Sequence, residues 1–125
     1  MLRKLVARKM AAKEVEQLIQ EVILPLRKLK GLEKIILFGS SLEEDFTEAS
    51  DLDFLLVFEN KDLATAAGRE IYGLHSGKWP CDFLCYDRTS YEEKSKVGGV
   101  CFVAKHEGRT LFSKERSSGT IPKKV

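Results

Sequence analysis

Two aspartates one residue apart, Asp51 and Asp53, stand at the start of an apolar run that has the length of a buried strand. Residues two apart on a strand point to the same face of the sheet, so these carboxylates would lie side by side. Adjacent carboxylates repel each other unless a cation lies between them, and their oxygens are the ligands that hard divalent metals prefer. The spacing therefore predicts a metal site at the beginning of this strand.

A glycine-serine corner precedes the aspartates, where an earlier apolar run ends in Gly39-Ser40-Ser41. A glycine permits a tight turn and lets a bulky anion approach the main chain. Ser40 and Ser41 can donate hydroxyls and cap a following helix, whose free N–H groups attract anions. A phosphate cradle beside a carboxylate pair indicates a nucleoside triphosphate carried on magnesium.

The order of these motifs resembles a known signature. Ser50-Asp51-Leu52-Asp53 follows the Gly39-Ser40 corner by ten positions, as in the DNA polymerase β-like nucleotidyltransferase superfamily, and the short length is similar to its minimal nucleotidyltransferase (MNT) branch. The resemblance implies a third carboxylate on a later strand, and Asp82 matches that position. Gly108, followed by a short strand with Leu111-Phe112, matches a late feature of the family.

The resemblance also implies a chemistry and a partner. Asp51 and Asp53 would bridge two Mg²⁺ ions, Asp82 would hold the catalytic ion, and Gly39 and Ser40 would hold the phosphates of ATP. Relatives of this size act with a HEPN-domain protein as the antitoxin of a toxin–antitoxin pair. The expected reaction is transfer of AMP to a hydroxyl of that partner, and a homo-oligomer is left open.

One departure from the family keeps two other functions open. Where members commonly carry basic residues and a second glycine, this chain has Ser41-Leu42-Glu43-Glu44-Asp45, whose acidic side chains would repel a triphosphate unless they point outward. The first alternative is therefore a non-catalytic module that neutralises a partner by binding. The second is a small-molecule (aminoglycoside-type) adenylyltransferase, which requires an acceptor pocket within this chain.

Composition narrows the class of protein further. The 125 residues carry 21 basic and 19 acidic side chains, so the net charge of +2 gives no general basic field for nucleic acid. No apolar run is long enough to span a bilayer, so no membrane association is expected. Three cysteines without framework spacing favour a reducing compartment, and we expect a cytoplasmic protein.

The alternation of apolar residues predicts an α/β (α+β) fold with a small mixed sheet flanked by helices, similar to the polymerase β palm. We expect a basic N-terminal extension over residues 1–10, one domain over 11–113 and a disordered tail over 114–125. The predicted strands are 33–38, 51–58, 81–86 and a last one around Leu111-Phe112. The predicted helices are 11–30, divided by Pro25, then 40–46, 60–76, one from Ser90 capped by Thr89, and 100–106.

Overall fold

Four strands form one mixed sheet in the order β3-β2-β1-β4. They are β1 (Leu32–Phe38), β2 (Leu52–Phe58), β3 (Cys81–Asp87) and β4 (Arg109–Ser113). The structure is a computed structural model, and it describes residues 8–39, 46–75 and 79–114. The predicted fold class, a small mixed sheet flanked by helices, is confirmed.

Strand direction decides which residues meet at each edge of the sheet. β1 is antiparallel to both β2 and β4, whereas β2 and β3 are parallel. Parallel neighbours need a long crossover, which is supplied by helix α2 (Lys61–Leu74). The end of β1 and the beginnings of β2 and β3 therefore lie at the same edge of the sheet.

Helices cover both faces of the sheet. Helix α1 (Ala12–Leu26) and α2 pack on one face, and the short helices α3 (Arg88–Lys94) and α4 (Val100–Glu107) pack on the other. β2 alternates between the two cores: one set of side chains faces α1 and α2 (Leu52, Phe54, Leu56, Phe58), and the other faces α3 and α4 (Leu55, Val57). Each fully buried Leu or Phe contributes about 1.5–3 kcal/mol, so β2 anchors the whole fold.

Two local expectations were wrong. Helix α1 ends at Leu26 rather than at residue 30, and Pro25 lies in its last turn instead of dividing it. Proline supplies no N–H to the preceding turn, which matters least where the helix is already ending. Thr89 does not cap the next helix; the carboxylate of Asp87 accepts the N–H of Ser90 at 3.1 Å and begins α3 at Arg88.

Several predicted segments fall wholly or largely outside the described residues. They are most of the basic extension, most of the 40–46 helix and most of the 114–125 tail. The described end of the extension is ordered by contacts, since Lys9 pairs with Thr47 and the Arg8 guanidinium contacts Glu14 and Glu48. Within residues 8–39, 46–75 and 79–114, no helix has the length and apolar character needed to cross a membrane.

Candidate active site

Asp53 and Asp82 are direct neighbours across the parallel β2–β3 pair. Adjacent strands lie about 4.8 Å apart and paired residues point to the same face, so the two carboxylates lie side by side. Asp51 precedes β2 by one residue and has the same parity as Asp53. Asp53 is half-buried, whereas Asp51 and Asp82 are exposed at the edge of the sheet. The three predicted carboxylates therefore occupy one face and one edge.

The electrostatics of Asp53 show the consequence of this crowding. Burial raises the pKa of the Asp53 carboxyl above its ordinary value, and the negative charges of Asp82 and Asp51 raise it further. A hydrogen bond with the Asp82 carboxyl acts in the same direction, because one of the two groups must then hold a proton. A positive charge bound beside Asp53 would therefore relieve the repulsion among the three carboxylates.

Gly39 lies so close to the Asp53 carboxylate that no side chain fits at this position. Phe38, the last residue of β1, pairs with Asp53, and the chain then turns at Gly39 with a φ of +84°. An ideal Cβ atom at position 39 would lie 2.5 Å from Oδ2 of Asp53. Only glycine fits both the backbone angle and the space. Ser40, the other predicted phosphate-binding residue, lies outside the described residues, as does the acidic segment 43–45.

The segment that carries Asp51 is held by hydrogen bonds from two directions. The hydroxyl of Ser50 accepts the N–H of Thr47 at 3.0 Å, and the N–H of Leu52 donates to the carbonyl of Pro80 at 3.1 Å. The indole N–H of Trp79 donates to the carbonyl of Ser50 at 2.9 Å. Sequence reasoning did not identify Trp79, because a bond to a backbone carbonyl 29 positions away leaves no pattern in the sequence.

The cysteines are not nucleophiles. Cys81 and Cys85 point to the α1–α2 side of the sheet, opposite Asp82, as the strand parity predicts. Burial raises the pKa of the Cys81 thiol to about 12, with further contributions from the nearby aspartates, and burial raises that of Cys85 to about 11. Both thiols are therefore protonated at neutral pH and serve as small apolar side chains.

Neither histidine ring is free. Nε2 of His75 lies 2.9 Å from the carbonyl of Trp79, and Nδ1 of His106 lies 2.9 Å from the carbonyl of Phe102. Both contacts are to backbone carbonyls four residues away in the sequence. This leaves the carboxylates as the acid–base groups of the edge.

The side chains do not form a closed metal cage. Among residues 8–39, 46–75 and 79–114, no group of three or more His, Cys, Asp and Glu side chains is arranged to hold a metal ion. The close pair is Asp53 with Asp82, and the charge of Asp51 acts on it through space. The donor set is oxygen-rich, partly exposed and open on one side.

A cavity lies on the same face, further along β3. Tyr86, four residues after Asp82 on the strand, lines it together with Val97, Val100 and the Gly98-Gly99 turn, and its volume is about 490 Å³. Leu84 has the same parity and is 37% exposed, between Asp82 and the cavity.

Comparison with known proteins identifies a family for this chain. The model of the nucleotidyltransferase domain family matches residues 15–111. This chain belongs to the nucleotidyltransferase domain family. The matched part of the nucleotidyltransferase domain contains the Gly39 turn and all three aspartates, and it extends from α1 into β4. No curated protein and no solved structure matches the chain.

Proposed function

We propose that this nucleotidyltransferase domain transfers AMP from ATP, carried on Mg²⁺, to a hydroxyl of a partner protein. The observation that supports this most directly is the in-register pairing of Asp53 with Asp82 beside the open turn at Gly39. Neighbouring carboxylates at an exposed edge, of which Asp53 has a pKa raised by burial and by the charges of Asp82 and Asp51, favour the binding of a divalent cation.

The residues present fit magnesium. Oxygen ligands from one or two carboxylates, completed by water and by substrate phosphates, are the usual environment of Mg²⁺, and such a site needs no closed protein cage. Asp51, Asp53 and Asp82 are the residues that would hold it. When bound, the ion supplies charge neutralisation and polarisation of the phosphoryl oxygens.

The protein's own groups have distinct roles in the proposed reaction. The acceptor oxygen forms a bond to the α-phosphorus of ATP, the bond from that phosphorus to pyrophosphate breaks, and the hydroxyl proton passes to a carboxylate. Asp82 is the base we propose for that proton, because it is exposed and on the outer strand of the pair. Gly39, which has no side chain, lets the backbone of the turn pass close to the Asp53 carboxylate, and we propose that phosphate binds to this turn.

The proposed acceptor belongs to a HEPN-domain partner, for which this chain would be the antitoxin. The resemblance noted in the sequence supports this choice, and the exposed Leu84 beside Asp82 offers an apolar surface for a partner. The cysteines Cys81, Cys85 and Cys101 are all free, which suits a reducing cytoplasm.

A second candidate is a domain that binds its partner without transferring a nucleotide. The acidic segment Glu43-Glu44-Asp45 favours it, because negative charges near the glycine-serine corner would repel a triphosphate unless they point outward. The two candidates differ in one measurable property, since only the enzyme requires ATP and Mg²⁺.

Co-expression with the neighbouring gene product, followed by intact-mass analysis of that product, tests the proposal. We expect an added nucleotide monophosphate with the wild-type chain and none with Asp53→Asn or Asp82→Asn. Asp62→Asn is the matched control, because Asp62 is an exposed aspartate on α2, on the other face of the sheet. Calorimetry with ATP and Mg²⁺ that shows no binding, together with an unmodified partner, would leave the binding role.

A further inference from the structure

Trp79 is the single tryptophan of the chain, and its indole is directed at the backbone that carries Asp51. Asp51 lies just before β2, so the residues on either side determine where its side chain starts. The carbonyl before it, on Ser50, accepts the Trp79 indole N–H at 2.9 Å. The N–H after it, on Leu52, donates to the Pro80 carbonyl at 3.1 Å. The dipeptide Trp79-Pro80 therefore holds both sides of Asp51.

The indole is itself held in place. Its ring stacks on the buried ring of Phe46, with centroids 6.1 Å apart and planes inclined by 24°. The carbonyl of Trp79 contacts the His75 ring at 2.9 Å. A donor fixed by stacking and by a hydrogen bond can orient an acceptor more precisely than a free surface side chain can.

We infer that Trp79 is a positioning residue that holds Asp51 beside Asp53 for the cation and nucleotide, and that its fluorescence reports when they bind. This inference rests on the proposed function, because it assigns a task to Asp51. It adds a residue outside the carboxylates and the glycine-serine corner.

The variant Trp79→Phe tests the bond, since it keeps a smaller aromatic ring against Phe46 and removes the indole N–H. Tyr91→Phe is the matched control: it likewise removes one polar aromatic tip, but Tyr91 packs against Val57 and Lys34, at the opposite end of the strands from the aspartates. We expect Trp79→Phe to weaken binding of Mn²⁺ with ATP, measured by calorimetry, about tenfold. Tyr91→Phe should bind as the wild type does. Equal affinity in wild type and Trp79→Phe overturns the inference.

A second measurement uses the fluorescence of Trp79 in the wild type, so that its result does not depend on whether Trp79→Phe folds correctly. Titration of the wild type with Mg²⁺ and ATP should change the emission of Trp79, and Asp51→Asn should abolish that change while the melting temperature is retained. A wild type that binds ATP by calorimetry with constant emission refutes the positioning role and leaves the proposed function intact. A wild type that binds neither Mg²⁺ nor ATP refutes the proposed function itself.

Discussion

Oδ2 of Asp53 occupies the place that a side chain at position 39 would need, since a Cβ on Gly39 would lie 2.5 Å from it. The glycine and the aspartate come from neighbouring antiparallel strands, at the point where β1 ends and β2 begins. The turn and the carboxylate therefore determine each other's position. A change in either one must displace the other.

Gly39→Ala is expected to lower both stability and activity. The left-handed φ of +84° adds about 1–2 kcal/mol for any residue with a Cβ, and the overlap with Asp53 adds to it. Denaturant unfolding should show a loss of about 2 kcal/mol or more. Gly68→Ala is the matched control, because Gly68 lies in α2 with open space around it, and the change should stabilise by about 0.5–1 kcal/mol. A neutral Gly39→Ala would contradict the close approach.

Asp53→Asn is expected to separate stability from activity. Burial and the charges of Asp82 and Asp51 raise the pKa of Asp53, so the native state binds this proton more tightly than the unfolded state does. Relative to Asp53→Asn, the wild type should lose stability as the pH rises from 3.8 through the raised pKa, and then stay constant. At neutral pH the variant should be at least as stable as the wild type.

The same variant should lose transfer activity by a factor of about a thousand, because the electrostatic contribution of one key group to the transition state is typically of this size. Unfolding curves at several pH values check the predicted stability, and a transfer assay at neutral pH checks the predicted loss of activity. A variant less stable than the wild type at neutral pH would show that Asp53 contributes packing rather than repulsion.

Leu84→Asp is expected to impair the use of the acceptor. Leu84 has the parity of Asp82 on β3, and a charge there would oppose an apolar partner surface. Labelling of the partner should fall about tenfold or more at limiting concentrations. Leu24→Asp, at a 65% exposed position on α1, is the matched control, and this variant should label the partner as much as the wild type does. Equal loss in both variants would point to a general effect on folding.

Asp87→Ala is expected to destabilise α3, and Asp87→Asn much less. The Asp87 side chain accepts the N–H of Ser90, and this contact lowers the pKa of the carboxyl. Removing the cap should lower the free energy of unfolding by about 1 kcal/mol. Because the folded pKa is depressed, the charged contribution of Asp87 is present above the ordinary carboxyl value and is lost as the pH falls through the folded pKa. Thermal melts of the three proteins at neutral and acidic pH measure both effects.

The apolar pattern was enough to predict the layers of the fold. β2 alternates Leu52, Phe54 and Leu56 with Leu55 and Val57, and both sets are buried, as the run of apolar residues indicates. The parallel pairing of β2 with β3 could not be obtained in this way. Strand order depends on how α2 crosses the sheet, which is a property of the whole chain rather than of a local spacing.

The aspartates of the candidate site could be predicted from the sequence, but the residue that holds their backbone in place could not. Asp51 and Asp53 follow from strand parity, and the family resemblance supplied Asp82. Trp79 contacts a carbonyl, and carbonyls are the same for every residue, so no sequence pattern marks Ser50 as its acceptor. The predicted capping residue of α3 was wrong for a related reason. Asp87 and Thr89 are both good N-cap residues, and the tertiary structure determines which of them caps the helix.

The crossover through α2 also sets an order of assembly. The β1–β2 hairpin closes a shorter loop than the β2–β3 pair, so we expect the hairpin to form first. β3 then docks against a hairpin that already carries Asp53, and it brings Asp82 toward that charge. An intermediate without β3 has no paired carboxylates, so the candidate site is complete only after β3 has paired with β2.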